Sequence, residues 1–175
     1  PLTLRQLASH SSGIRHYNSR EEFLLNDTYE DAVSSLDLFK NDPLLFTPGS
    51  QVTYSTFAFS LMAAAMEHAD QQRSFKQITQ EEVFAPLNMQ DTAFDDQAII
   101  IPLRQRPYNA IEGKLFNAPQ SDHSYKYAGG GFIASPSDIS RFAVAQSQPG
   151  YLSQTSLEQL FTRATLNDGK ALPYG

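Results

Sequence analysis

Apolar positions in this chain fall into short helical stripes separated by polar stretches rich in Pro and Gly. The strongest stripe predicts a helix over residues 55–71. There Phe57, Ala58, Leu61, Met62, Ala65, Met66 and Ala69 recur at helical spacing, and Phe59 and Ala63 widen the band. Leu61, Met62, Ala65 and Met66 are expected to be buried. Residues 2–8 predict a shorter helix on Leu2, Leu4, Leu7 and Ala8, with Gly13 closing it after a polar His-Ser-Ser. Thr28 and Asp31 stand in capping-box spacing ahead of Val33, Leu36 and Phe39. Phe75, Ile78, Glu82 and Val83 set the faces of another helix, which Pro86 stops.

The second half is more irregular. Residues 106–119 alternate like a hairpin, with Glu112-Gly113 at the turn. Gly129, Gly130 and Gly131 read as a structural turn that allows close backbone approach. Ser135, Pro136 and Asp138 give the cap, the first position and the first-turn acid of a further helix. Thr155 and Glu158 repeat the capping-box spacing near the end.

The totals narrow the function classes. A chain of 175 residues, 41% hydrophobic and 18% charged, is long enough and apolar enough for one domain with a core. A net charge of −6, with no basic run, argues against nonspecific binding to nucleic acid or to an anionic membrane. No apolar run is long enough to span a membrane. The chain has no cysteine, which excludes disulfides, thiolate catalysis and Cys-ligated metal. It starts at Pro1 and stops at Ala-Leu-Pro-Tyr-Gly, which reads like the opening of a strand, so we expect a fragment of a longer domain.

Candidate chemistry is sparse. His10, His16, His68 and His123 form no set with metal-ligand spacing, and His68, late in a helix, reads as a surface residue. There is neither a Gly-x-Ser-x-Gly elbow nor a phosphate-binding loop. One feature stands apart: Tyr54-Ser55-Thr56, a phenol and two hydroxyls at the mouth of the most apolar helix. A tyrosine there is either packing or a proton-transfer group held at a helix N-terminus.

Four segments in order bear on that choice: Leu4 to Ile14, Pro48 to Glu67, Phe84 to Phe94, and Tyr127 to Ala143. The series resembles the serine β-lactamase and penicillin-binding-protein superfamily, in particular its class C β-lactamase and esterase group. The segments around His10 to Tyr17 and Asn117 to Gly131 look closest to its mitochondrial serine protease branch and bacterial relatives. The resemblance implies an α+β, mostly α chain: the helical lobe of the β-lactamase/transpeptidase-like fold with a small hairpin, without the main antiparallel sheet. It implies residues 1–175 as one helical-lobe piece of a larger serine hydrolase domain, and it favours a periplasmic or extracytoplasmic setting.

Three motifs carry chemistry in that superfamily: Ser-x-x-Lys, Tyr-x-Asn, and Lys-Thr-Gly or His-Thr-Gly. Tyr54-Ser55-Thr56 takes the place of the second, with Thr56 where the family has asparagine. A hydroxyl replaces a carboxamide, which puts efficient β-lactam turnover in doubt. No lysine has a serine three residues before it, and no Lys-Thr-Gly or His-Thr-Gly is present. The resemblance implies that both lie beyond this chain.

By the same resemblance Tyr54 would be catalytic, and Thr56, His16, Tyr17, Tyr125 and Gly130 would line the substrate site. For His16 and Tyr17 the alternative is a surface turn. For Tyr125 and Gly130 it is a packed connection between hairpin and helix. The implied substrate is a small-molecule or peptide acyl compound, with no metal and no organic cofactor. A free phenol titrates near 10, so only about one in a thousand is ionised at neutral pH. A basic Tyr54 therefore needs positive charge nearby. A lobe made to pack on a sheet should also self-associate through its exposed sheet-facing surface. The alternative function is a catalytically idle binding or assembly module.

Overall fold

A computed structural model describes residues 1–147 and 149–172. The long helix α3, Thr56–Asp70, is the spine. Ser55 caps it by accepting from the Ala58 amide, and Gln71 ends it in the left-handed conformation with φ 62°. Around it lie α1 (Leu4–Ala8), α2 (Arg20–Phe23), α4 (Phe75–Thr79), α5 (Tyr127–Gly130), α6 (Pro136–Ala145) and α7 (Gln154–Phe161). The strands among the described residues form two two-stranded antiparallel ladders. β1 (Ala93–Phe94) pairs with β4 (Phe132–Ile133), and β2 (Tyr108–Ile111) pairs with β3 (Lys114–Asn117). The architecture is the expected α+β lobe, mostly helical, with one small hairpin.

The core gathers at the N-terminal half of α3. Leu7, Ile14, Phe39, Phe57, Ala58 and Tyr125 pack together, and the Phe39 ring stacks on Phe57 at 4.7 Å between centroids. α5 crosses this end closely. Ser60 donates its hydroxyl to the Tyr125 carbonyl (2.9 Å), and Gly129 lies against Thr56. A Cβ on Gly129 would come within 2.4 Å of the Thr56 Cγ2, so the approach requires glycine.

Several sequence expectations shift for physical reasons. The fully buried residues of α3 are Thr56, Phe57, Ala58, Ser60, Ala63 and Ala64. Leu61, Met62 and Ala65 are only half-buried, and Met66 and Ala69 are exposed. The close crossing of α5 selects the small-residue face. The Leu/Met stripe is left over open grooves: Leu61 beside Leu36 and Pro43, Met62 beside Leu4 and Leu160, Met66 beside Ile78 and Phe142. Thr28 caps no helix, because its hydroxyl donates to Asp122 (2.8 Å). Asp31 instead accepts from the Ser34 amide (2.7 Å) ahead of a short 3-10 turn, Ser34–Leu38. Beyond α4 the chain loosens into a π turn, Gln80–Phe84, before Pro86. The cap of α7 is Ser153, not Thr155.

Other expectations hold. Ser135 caps α6 with Pro136 at its start, and the hairpin turns at Glu112 and Gly113, both at positive φ. His68 is exposed. The glycine run supplies the last residues of α5 and the entry to β4. The expected closing strand falls partly outside the described residues. Within them, Ala171 forms a single antiparallel bridge to Thr165.

Candidate active site

The head of α3 is built from buried polar contacts. Ser55 is fully buried, and besides capping the helix it donates its hydroxyl to the Arg15 carbonyl (2.7 Å). Two imidazoles cover the neighbouring amides. The Ser55 N–H donates to His10 Nδ1 and the Thr56 N–H to His16 Nδ1, each at 3.3 Å. A ring nitrogen that accepts carries no proton, so a neutral imidazole here bears its hydrogen on Nε2. Burial lowers the affinity of both rings for a second proton. For His10 the nearby His16 adds to this, and for His16 the pull of Glu22 opposes it. The positive end of the helix also disfavours imidazolium at this place.

Tyr54 stands between these rings. Its centroid lies 4.6 Å from that of His10 and 5.1 Å from that of His16. It is 54% exposed, so the ring is gripped on its sides and open to solvent. Sequence and structure agree on its position, immediately before the cap of α3.

The other predicted lining residues separate. His16 and Tyr17 are half-buried, with ring centroids 4.1 Å apart. Burial holds the proton on the Tyr17 phenol, against the opposing pull of the Thr56 and Tyr125 hydroxyls. Thr56 is itself buried, its methyl against Gly129. Tyr125 is 1% exposed and donates to the Phe23 carbonyl (2.9 Å), so it packs behind Tyr17 and presents no open face. That is the packed-connection alternative for Tyr125, imposed by its place in the core. Gly130 lies on the surface at φ +150°, with nothing around the place of a Cβ.

Two groups that sequence reasoning passed over complete the corner. Arg15 anchors the loop that carries His16 and Tyr17. Its guanidinium grips Glu22 through both terminal nitrogens (2.9 and 2.8 Å), donates to Asp42 (2.5 Å) and to the Leu38 carbonyl (2.8 Å), and lies over the Phe57 ring. Lys126 is 5% exposed. Its ammonium sits 4.0 Å from the Phe23 centroid and 5.0 Å from that of Tyr125, with the Phe23 carbonyl at 3.4 Å. Burial pulls its pKa down to about 8. The only sequence signal for it was a lysine enclosed by Tyr125 and Tyr127.

Comparison with known proteins decides the family. The sequence model described as "Beta-lactamase" matches residues 1–175. The chain belongs to the β-lactamase family. The mouse mitochondrial serine β-lactamase-like protein LACTB is 35% identical over 157 residues, which is 81% of this chain and 28% of that protein. In solved structures, a penicillin-binding protein from Bacillus halodurans matches with a TM-score of 0.78 at 18% identity, over 98% of this chain and 55% of that one. A D-stereospecific amidohydrolase from a Streptomyces species matches with a TM-score of 0.79 at 21% identity, over the same shares. At these identities the structures speak for the fold, and the chain spans little more than a quarter of the mouse relative's length. Members of the family are serine hydrolases.

Proposed function

We propose that this chain is the helical lobe of a serine acyl-transfer hydrolase acting on a peptide, ester or β-lactam-like carbonyl, with Tyr54 as its proton-transfer group. The observation that carries this reading is Tyr54 itself: open to solvent, at the head of α3, steadied by two imidazoles whose acceptor nitrogens are occupied by backbone amides. A phenol so placed is oriented without competition for its proton from either Nδ1. The nucleophilic serine and its lysine, on this proposal, come from a Ser-x-x-Lys segment outside residues 1–175. That serine attacks the carbonyl, Tyr54 and the lysine pass its proton to the leaving group, and water releases the acyl group. His16 and Tyr17 form one lip of the cleft and Gly130 lies on another. The half-open Leu/Met stripe of α3 supports self-association of the chain when it stands alone.

A second reading has its own observation. Thr56 is buried with its methyl on Gly129, so the position that holds the family's asparagine offers no side chain to the open face. That favours a lobe kept for binding or assembly.

One paired experiment separates the readings. A fluorophosphonate or β-lactam probe is applied to this chain and to the protein extended to include Ser-x-x-Lys, and labelled peptides are located by mass spectrometry. The extended protein should label at the motif serine, and this chain should not. Tyr54→Phe should slow labelling of the extended protein about 10²–10⁴-fold. Specific labelling of a serine within residues 1–175, lost in Tyr54→Phe, would show the site to be complete here. An extended protein that takes up no probe favours the binding module.

A further inference from the structure

Residues 53–56, at the head of α3, owe their placement to one loop. The Thr53 N–H donates to the His10 carbonyl (3.0 Å) and the Ser55 N–H to the His10 imidazole (3.3 Å), so His10 holds both neighbours of Tyr54. The Ser55 hydroxyl donates to the Arg15 carbonyl (2.7 Å), and the Thr56 N–H to the His16 imidazole (3.3 Å). His10 is 7% exposed and stands at φ 58°, with its own amide donating to the Leu7 carbonyl (3.2 Å). Its ring and main chain are therefore fixed together.

The Ser55 and Thr56 amides stand at the start of the helix, where no carbonyl within α3 can receive them. A neutral imidazole accepts at Nδ1. A protonated one carries a hydrogen there, and two donors then face each other at the positive end of the helix. His10 meets His16 and the rings of Tyr54 and Phe59. His16 meets Glu22 of α2, Lys126 of the 124–126 turn, and the rings of Tyr17 and Tyr54. Arg15 donates to the His16 carbonyl (2.9 Å) and is itself paired with Glu22 and Asp42. Among these groups Glu22 alone favours imidazolium, and Arg15 already holds it.

We propose, resting on the reading of Tyr54 as the proton-transfer group, that His10 and His16 are its positioning residues: they set Tyr54 only as neutral imidazoles, and release it when either takes up a proton. The acid limb of acyl transfer then belongs to these two rings. Burial holds both below the ordinary value of 6.5. The lock is thus complete above 6.5 and is lost as pH falls through the lower folded values.

The test uses the protein extended to include Ser-x-x-Lys. Nitrogen NMR of the histidine rings should show His10 and His16 protonated on Nε2 at neutral pH, and the Tyr54 ring signals should follow their titration. In His10→Asn and His16→Asn a carboxamide oxygen takes over as an acceptor that does not titrate. Each should take up fluorophosphonate within about threefold of the parent rate at neutral pH, and the double variant should keep its rate to lower pH. His16→Ala leaves the Thr56 amide unpaired and should slow labelling about tenfold. An acid limb unchanged in the folded double variant, a His16→Ala protein that labels like the parent, or Nδ1–H signals at neutral pH would each overturn the proposal. Where the double variant does not fold, the parent spectrum decides: Tyr54 signals that stay fixed while the histidines titrate overturn the lock. Tyr54→Phe labelling at the parent rate would instead sink the role of Tyr54 in proton transfer, and the same spectrum would still tell whether the imidazoles hold it.

Discussion

The head of α3 and the β2–β3 hairpin lie in one chain and invert each other. At the helix head, hydroxyls, imidazoles and a guanidinium are buried or half-buried, and each is held by backbone or carboxylate partners. At the hairpin, Leu, Ile and Phe side chains are in water, held by nothing but their strands. The contrast teaches where stability and function reside. A buried polar corner is stable only when every partner is present, so it specifies one arrangement. An exposed apolar tip adds little to the fold, so its residues answer to something outside it.

Three substitutions sharpen that contrast. Phe57→Ala should cost the most, about 3–5 kcal/mol, because the ring is fully buried under Phe39 and the Arg15 guanidinium. Chemical denaturation measures it, and a loss below about 1 kcal/mol would mean that the corner is not the core.

Lys126→Met should act in the opposite direction. Burial makes the Lys126 cation unfavourable, and its folded pKa of about 8 lies below its ordinary 10.5. The penalty is fully present below pH 8, falls as pH rises, and is gone above about 10.5, where both states are neutral. Lys126→Met should therefore stabilise the chain at pH 7, by on the order of 2–3 kcal/mol, with the gain shrinking between pH 8 and 10.5. Thermal melts of the two proteins across that range check the sign. A gain that does not change with pH would mean that Lys126 titrates normally.

Leu115→Ser should have the smallest effect, within about 0.5 kcal/mol, because the side chain is already solvated. A melting temperature that drops by several degrees would mean the hairpin supports the lobe after all.

What could be read from the sequence was local. Ser55, Ser135, Pro136 and the Glu112-Gly113 turn act through neighbours a few residues away, and their elements appear where expected. Tyr54 was legible because its place relative to a cap is also local. The face that α3 buries was not. A helix apolar on most sides does not say which side another element will cover, and the choice came from Gly129, far along the chain. The same holds for Thr28, drawn from its capping role by Asp122, and for Tyr125, whose depth depends on Phe23 and Tyr17. The imidazole grip on Tyr54 needs His10 and His16 to fold back from a separate loop, which no spacing rule announces.

The contact of Gly129 with Thr56 makes two distant positions vary as one. Any side chain at 129 must take its room from position 56, whereas a bulkier residue at 56 is admissible only while 129 stays glycine. Attempts to place asparagine at position 56 therefore begin from a permissive background, and libraries that randomise the glycine run would remove it. Sequence changes around Tyr54 and around the glycine turn have to be chosen as pairs.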